Sequence, residues 1–405
     1  MEKQKNIPQL RFPEFEGEWL LDTLENICCD AMYGINASAT TYDGKHKYLR
    51  ITDIDEDTRE FIPNPLTSPA GNIDCQFKLK KGDIVFARTG ASVGKSYLYK
   101  EEDGDLYFAG FLIKFSIKNA NPYFVYTQTL HNTYNKWVTV MSMRSGQPGI
   151  NAEEYKSYKF KLPTLPEQQK IASFFTAIDE KITQLKQKKI LLEQYKKGVM
   201  QKIFLQQIRF KDDNGQEYPK WEKIKLGSFL IQKIREVPKP NSPYLAIGVR
   251  SHCKGTFQRI NSDPDKIEMD KLFVIKKYDL VVNITFAWEG AIALAKEEDE
   301  GGLVSHRFPT YIFNEDKVLG IYFQYVFIQK NFRELLDLIS PGGAGRNRVL
   351  NKKDFLKLTC DIPMVKEQTK IANFLTAIDD KINHTETQIE KAKVWKKGLM
   401  EQMFV

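Results

Sequence analysis

The sequence predicts an α+β protein: two similar mixed α/β domains joined by two long antiparallel coiled-coil helices, with pseudo-twofold internal repetition. Three observations carry this expectation. Residues 162–204 recur at 362–404 without a gap, and 18 of the 43 paired positions are identical. Both copies place apolar residues at heptad spacing. The segments that precede the two copies also match each other, in short strand-like runs separated by Gly and Asn turns.

The first domain is assigned to residues 1–161 and the first long helix to 162–205; the second domain takes 206–361 and the second helix 362–405. Leu10-Arg11-Phe12 is answered by Ile208-Arg209-Phe210, and Trp19 with Leu24 by Trp221 with Leu226. Tyr48–Ile51 aligns with Tyr244–Ile247, Leu79–Val85 with Ile275–Val281, and Phe111–Phe115 with Arg307–Tyr311. Helical stretches are expected near 123–138 and 320–338. Scaffold positions match between the halves, whereas the connecting loops do not.

In the first helix Phe175, Ile182, Lys189, Lys196 and Ile203 occupy heptad position a, and Ile178, Leu185, Leu192 and Val199 occupy d. In the second, Leu375, Ile382, Ile389 and Met403 stand at a and Ile378, Ala392 and Leu399 at d, interrupted by Thr385 and Lys396. Thr164-x-x-Glu167 predicts a capping box, with Pro166 in the first turn. About 38 residues at roughly 1.5 Å each give a rod on the order of 57 Å that cannot bury its seam alone. The simplest partner is the other rod. The identities extend beyond the seam, to Glu167, Gln168, Phe174, Asp179, Met200 and Phe204 and their counterparts Glu367, Gln368, Phe374, Asp379, Met400 and Phe404. These outer positions predict a duplicated task, holding two copies of one partner; Phe174, Asp179, Met200, Phe204, Phe374, Asp379, Met400 and Phe404 are the candidate contacts.

The pattern LP-x-L-x-EQ-x-x-IA-x-x-(F/L)-x-x-ID-x-x-I, followed by KKG-(V/L)-M and a Phe, resembles the specificity subunit of type I restriction-modification systems. The resemblance covers the whole chain, and the long motif occurs twice. The second copy departs from it at Met364-Val365-Lys366. The resemblance implies a non-catalytic subunit whose two target-recognition domains each read one half of an asymmetric, bipartite duplex DNA sequence. The rods would set the spacer between the halves. It also implies two modification (methyltransferase) subunits docked on the helices and ATP-dependent restriction subunits as further partners. S-adenosylmethionine would be bound by the modification subunit, with no cofactor on this chain. A structural coiled-coil adaptor and a stand-alone DNA methyltransferase are the alternatives.

Bulk properties agree with a polyanionic partner without requiring one: net charge is +8 with no dense polybasic run. Cys28, Cys29, Cys75, Cys253 and Cys360 form no C-x-x-C pair, which argues against disulfide and metal frameworks and fits a reducing compartment. The first residues lack the apolar core of a signal peptide, and the run around Leu280–Ala295 carries Asn283 and Glu289 and is too short to cross a bilayer. A cytoplasmic protein without membrane association is expected.

Candidate DNA contacts come from two loop pairs. Thr89–Ser96 resembles a phosphate-binding loop, but Thr89 stands where its first Gly is required, and the repeat replaces Gly90 and Lys95 by Phe286 and Ala291. A turn presenting Arg88, Thr89, Ser92 and Lys95 to DNA is preferred; Asn283, Thr285 and Arg307 are its second-domain candidates. The second pair is Arg144–Gly149 and Gly342–Arg348. Arg can bond guanine and Gln or Asn adenine, each through two hydrogen bonds. That makes Arg144, Ser145 and Gln147 candidates, and likewise Arg346, Asn347 and Arg348. Asn241-Ser242-Pro243-Tyr244 approaches an amino-methyltransferase signature, but Ser242 replaces a Pro and no Gly-rich cofactor turn precedes it. The five histidines are scattered, so no catalytic residues are expected.

Overall fold

A computed structural model describes residues 6–143, 146–342 and 348–405. The repeat seen in the sequence is a repeat of topology. In the first domain an antiparallel sheet runs in the order Cys28–Tyr33, Leu112–Ile117, Asp83–Ala87, Ser96–Leu98. The second domain builds the same sheet from Leu230–Gln232, Thr310–Phe313, Leu280–Val282 and Ile292–Leu294. The helices Pro122–Gln128 and Asn132–Met141 correspond to Gly320–Phe327 and Lys330–Leu338. Asn121 caps the first of these and Pro122 fits its first turn. Each domain closes on a two-stranded ladder, Leu20–Thr23 with Lys159–Leu162 and Glu222–Lys225 with Thr359–Ile362. The second strand of each ladder leads directly into a long helix.

The domains differ in the strands outside the common sheet. The first carries two small pairs, Ala39–Thr41 with Thr67–Pro69 and Lys47–Leu49 with Leu106–Phe108, the latter parallel. The second has a five-stranded sheet ordered Glu236–Pro238, Lys271–Val274, Leu303–Val304, Tyr244–Val249, Thr256–Ser262. The parallel pair recurs there, since Tyr244–Val249 aligns with the segment at Tyr48 and lies parallel to Leu303–Val304; the strands around that pair are what differ.

The long helices run Leu165–Phe204 and Val365–Met403. By packing, the chain divides into Met1–Gln187 with Glu386–Val405, and Lys188–Thr385, so each compact unit holds part of both helices. In the first unit Ile171, Phe175, Ile178 and Ile182 share a core with Met403, Phe404, Leu399 and Ala392. In the second, Ile371, Leu375, Ile378 and Ile382 share one with Ile203, Val199, Met200 and Phe204. Lys396 bonds Asp179 at 2.6 Å in the first unit, and Lys196 bonds Asp379 in the second. The two pairs are the same pair with the helices exchanged, and within each unit the helix segments run antiparallel. Three interruptions of the heptad seam, at Lys196, Lys396 and Thr385, are thereby explained. Lys196 and Lys396 reach across to a carboxylate, and buried Thr385 bonds the Lys381 carbonyl one turn back.

The capping box does not form as expected. Glu167 is 1% exposed, and its carboxylate takes two hydrogen bonds from Arg11 and one from the Trp19 indole. Glu367 repeats this with Arg209. The guanidinium fork meets both carboxylate oxygens with two parallel bonds between ionised groups, where a backbone N–H would meet one.

Candidate nucleic-acid interface

In each domain the loops singled out separately in the sequence lie side by side, joined through the main chain. In the first, Gly90 N bonds the Pro148 carbonyl at 3.0 Å, Ile150 N bonds Arg88 O at 2.9 Å, and Arg88 N bonds Phe111 O at 3.0 Å. In the second, Leu350 N bonds Ile284 O at 2.8 Å and Ile284 N bonds Arg307 O at 3.0 Å. Three loops of each domain therefore form one cluster, built on equivalent backbone positions.

Side chains on the two clusters differ. The Arg88 guanidinium lies over the Tyr33 ring at 5.0 Å, beside Thr89 and exposed Gln147, and Phe111 is 60% exposed at the same cluster. Ser92 is half-buried in the turn, where its carbonyl takes the Lys95 N–H. Lys95 is turned inward, contrary to its expected place on the surface. It is 6% exposed, pairs with Glu56 and bonds the Ile54 carbonyl. Burying an ammonium requires such partners. Gly94, at φ +85°, lies so close to Val138 that a Cβ would fall 2.5 Å from a methyl. With Lys95 and Ser96 both committed inside, the latter to Thr129 at 2.6 Å, the turn does not offer a phosphate-binding loop.

In the second domain Asn283 is buried and its carbonyl oxygen caps the Thr285 N–H. Arg307 is exposed and reaches Thr285 Oγ1 at 3.4 Å. Arg348 acts as a strut. It donates to the Ser340 and Asp337 carbonyls, pairs with the Asp337 carboxylate at 2.8 Å and stacks on Trp288 at 5.1 Å. Arg144, Ser145, Arg346 and Asn347 lie outside the described residues. The sequence reading passed over the hairpin formed by Tyr244–Val249 and Thr256–Ser262. It carries Arg250, His252, Lys254 and Arg259, all exposed. Four cationic or titratable side chains around Gly255 were the signal available.

The duplicated residues of the long helices mostly contact this chain itself. Phe174 packs edge-on against Phe12, and Phe374 against Phe210. Phe404 is buried among Trp19, Phe124 and Phe175; Phe204 meets Trp221 and Tyr322. Met200 and Met400 are partly buried in the same two cores. Asp179 accepts from Tyr123 as well as Lys396, and Asp379 from Tyr325 as well as Lys196. Burial and the adjacent carboxylate push both tyrosines above their ordinary range, so they remain donors. Gln168 and Gln368 each accept from a domain N–H, that of Asn121 or Leu319. Tyr195 and Trp395, at equivalent positions, remain 55% and 54% exposed. They stand three residues before Gly198 and Gly398, where a Cβ would meet nothing within 4 Å.

Comparison with known proteins agrees with this architecture. The model of the type I restriction modification DNA specificity domain matches twice, over residues 34–194 and 220–393. A putative type I restriction enzyme MjaX specificity subunit from Methanocaldococcus jannaschii is 25% identical, over 96% of this chain and 94% of the relative. The MjaVIII specificity subunit of the same organism is also 25% identical, over 78% and 77%. The fold is similar to the crystal structure of the type I restriction-modification S subunit from M. genitalium. That match has a TM-score of 0.60 and 14% identity, covering 98% of this chain and 99% of that one. A chain from a structural study of complex assembly and conformational transition of the type I R-M system matches at TM-score 0.51 and 14% identity, over 95% and 97%. Among the described residues no helix is long and apolar enough to cross a membrane. The twice-matched domain and the duplicated helix place this chain in the family of type I restriction-modification specificity subunits.

Proposed function

We propose that this chain is the non-catalytic, cytoplasmic, address-reading subunit of a type I restriction-modification complex. Each three-loop cluster reads one half of an asymmetric bipartite duplex target. Two modification subunits dock on the paired helices and supply S-adenosylmethionine and methyl transfer to an adenine that they extrude from the stack. Restriction subunits join that complex. The observation that carries the reading is one backbone frame displaying two unlike sets of side chains: Arg88, Tyr33, Phe111 and Gln147 on the first cluster, Thr285, Arg307 and Trp288 on the second. Shared frame with unshared side chains is what two unlike half-sites require, since base contacts specify and phosphate contacts position. Exchanging residues 13–160 for those of another family member is expected to change one half of the methylated sequence. Methylome sequencing of the assembled chimera decides it, and changes in both halves would refute independent reading.

The docking surface is assigned to the helix faces around Tyr195 and Trp395. Exposed aromatics at matched positions beside open glycines offer a partner two equivalent seats. Tyr195→Asp or Trp395→Asp alone is expected to leave one modification subunit bound, and the double variant none, as weighed by native mass spectrometry. Full stoichiometry in the double variant would move the interface elsewhere.

A further inference from the structure

The second domain contains a cleft of about 530 Å³ whose lining includes Ser251, Phe257, Arg259, Asn283, Phe286 and Glu289. It has one wall on the basic hairpin and the other on the loop 283–290. Two main-chain bonds tie these walls together, His252 N to Glu289 O at 2.7 Å and Cys253 N to Gly290 O at 2.8 Å. Gly290 is required at that junction: its φ is +77°, and a Cβ would sit 3.2 Å from the Cys253 sulfur.

Opposite charges share this cleft without neutralising each other. Glu289 takes a hydrogen bond from Ser251 Oγ at 2.8 Å, which orients its carboxylate, but among the described residues it has no cationic partner. Arg259 likewise has no anionic partner among the described residues; its guanidinium lies 5.3 Å from the centre of the Phe257 ring, which Arg250 also approaches, at 5.1 Å. Stacking fixes the plane of a guanidinium while leaving its N–H fork available. The first domain is built differently. Lys95, at the position of Ala291, reaches the Ile54 carbonyl, and Glu56 takes its charge.

A positioned donor fork beside a positioned carboxylate matches one base pair in particular. The major-groove edge of G·C presents two acceptors on guanine and one amino donor on cytosine; arginine serves the former and a carboxylate the latter. A two-stranded β-ribbon is also an element that the major groove admits. We propose that the cleft between the 244–262 hairpin and the 283–290 loop reads a G·C pair in the second half-site, with Arg259 donating to guanine and Glu289 accepting from the cytosine amine. This rests on the proposed reading of one half-site per domain, and makes both residues specificity determinants.

The test uses the complete chain assembled with its modification subunits. Methylome sequencing first defines the wild-type motif, and the exchange of residues 13–160 identifies which half belongs to the second domain. Competition binding then compares that target with duplexes substituted one base pair at a time. Glu289→Gln and Arg259→Met are each expected to lose roughly 5- to 150-fold discrimination at one G·C position of the second-domain half, with the first half unchanged. Wild-type discrimination at every position in both variants would overturn the proposal, as would an equal loss on all duplexes, which marks a phosphate contact. Arg259 is exposed on its strand, so its variant decides alone if the Glu289 variant fails to fold. Failure of the underlying reading looks different: the wild-type complex would then yield no bipartite motif.

Discussion

Replacing Arg11 by alanine is expected to destabilise the first unit by about 3–5 kcal/mol, because it strands the Glu167 carboxylate at a site from which water is excluded. Glu167 is 1% exposed, and two of its three side-chain hydrogen bonds come from that guanidinium. The lone remaining donor, the Trp19 indole, is neutral. For a unit of this size the loss corresponds to roughly 10 °C in melting temperature. Arg209→Ala, stranding Glu367, should do the same to the second unit. Thermal unfolding followed by circular dichroism checks both. The informative control is Glu167→Gln in the Arg11→Ala background, which removes the stranded charge and should recover much of the loss. If Arg11→Ala unfolds at the wild-type temperature, the buried pair is not what holds the helix to its domain.

Phe404→Ala carries the second large effect, about 3–5 kcal/mol for a truncated core aromatic. Its ring stacks on Phe124 at 5.1 Å and meets Trp19 and Phe175 at 6.0 Å each. One side chain just past the end of the second helix thus fills a hole bounded by the first domain and the first helix. Phe404→Leu should cost less, since much of the apolar volume is kept. Urea titration of the two variants measures both. Equal stability of Phe404→Ala and the parent chain would mean that this ring is dispensable to the core.

The repeat, the two rods and their antiparallel pairing could be read from the chain because heptad periodicity is a local signal and a fixed offset needs no fold to be seen. What the outer identities meant could not be read the same way. Glu167, Gln168, Phe174, Asp179 and Phe204 recur because their contacts recur, yet identity does not say whether the contacted group belongs to a partner or to the chain itself. Here it is the chain itself: Arg11 lies 156 residues from Glu167, and Lys396 lies 217 from Asp179. A clue was present in the matched Leu10-Arg11-Phe12 and Ile208-Arg209-Phe210, each bringing a cation and an aromatic to a helix that repeats Glu and Phe. The loop clusters were half legible. Gly-rich turns marked the segments, but their union rests on main-chain bonds such as Ile150 N to Arg88 O, to which side-chain identity is blind. Lys95 misled for a related reason, since its acceptor, the Ile54 carbonyl, lies 41 residues upstream.

Gln168 and Gln368 clasp their domains by bonding the N–H of Asn121 or Leu319, and they secure themselves on the Pro163 or Pro363 carbonyl. A clasp of this kind grips peptide groups, which every residue possesses. Asn and Leu serve it equally, so the joint tolerates drift in the domain it holds. Beyond that joint, attachment asks little of a domain's surface chemistry: an arginine for the glutamate, aromatics for the phenylalanine and for the aspartate. A domain whose exposed loops differ throughout is therefore held as firmly as its counterpart, because the joint grips main chain.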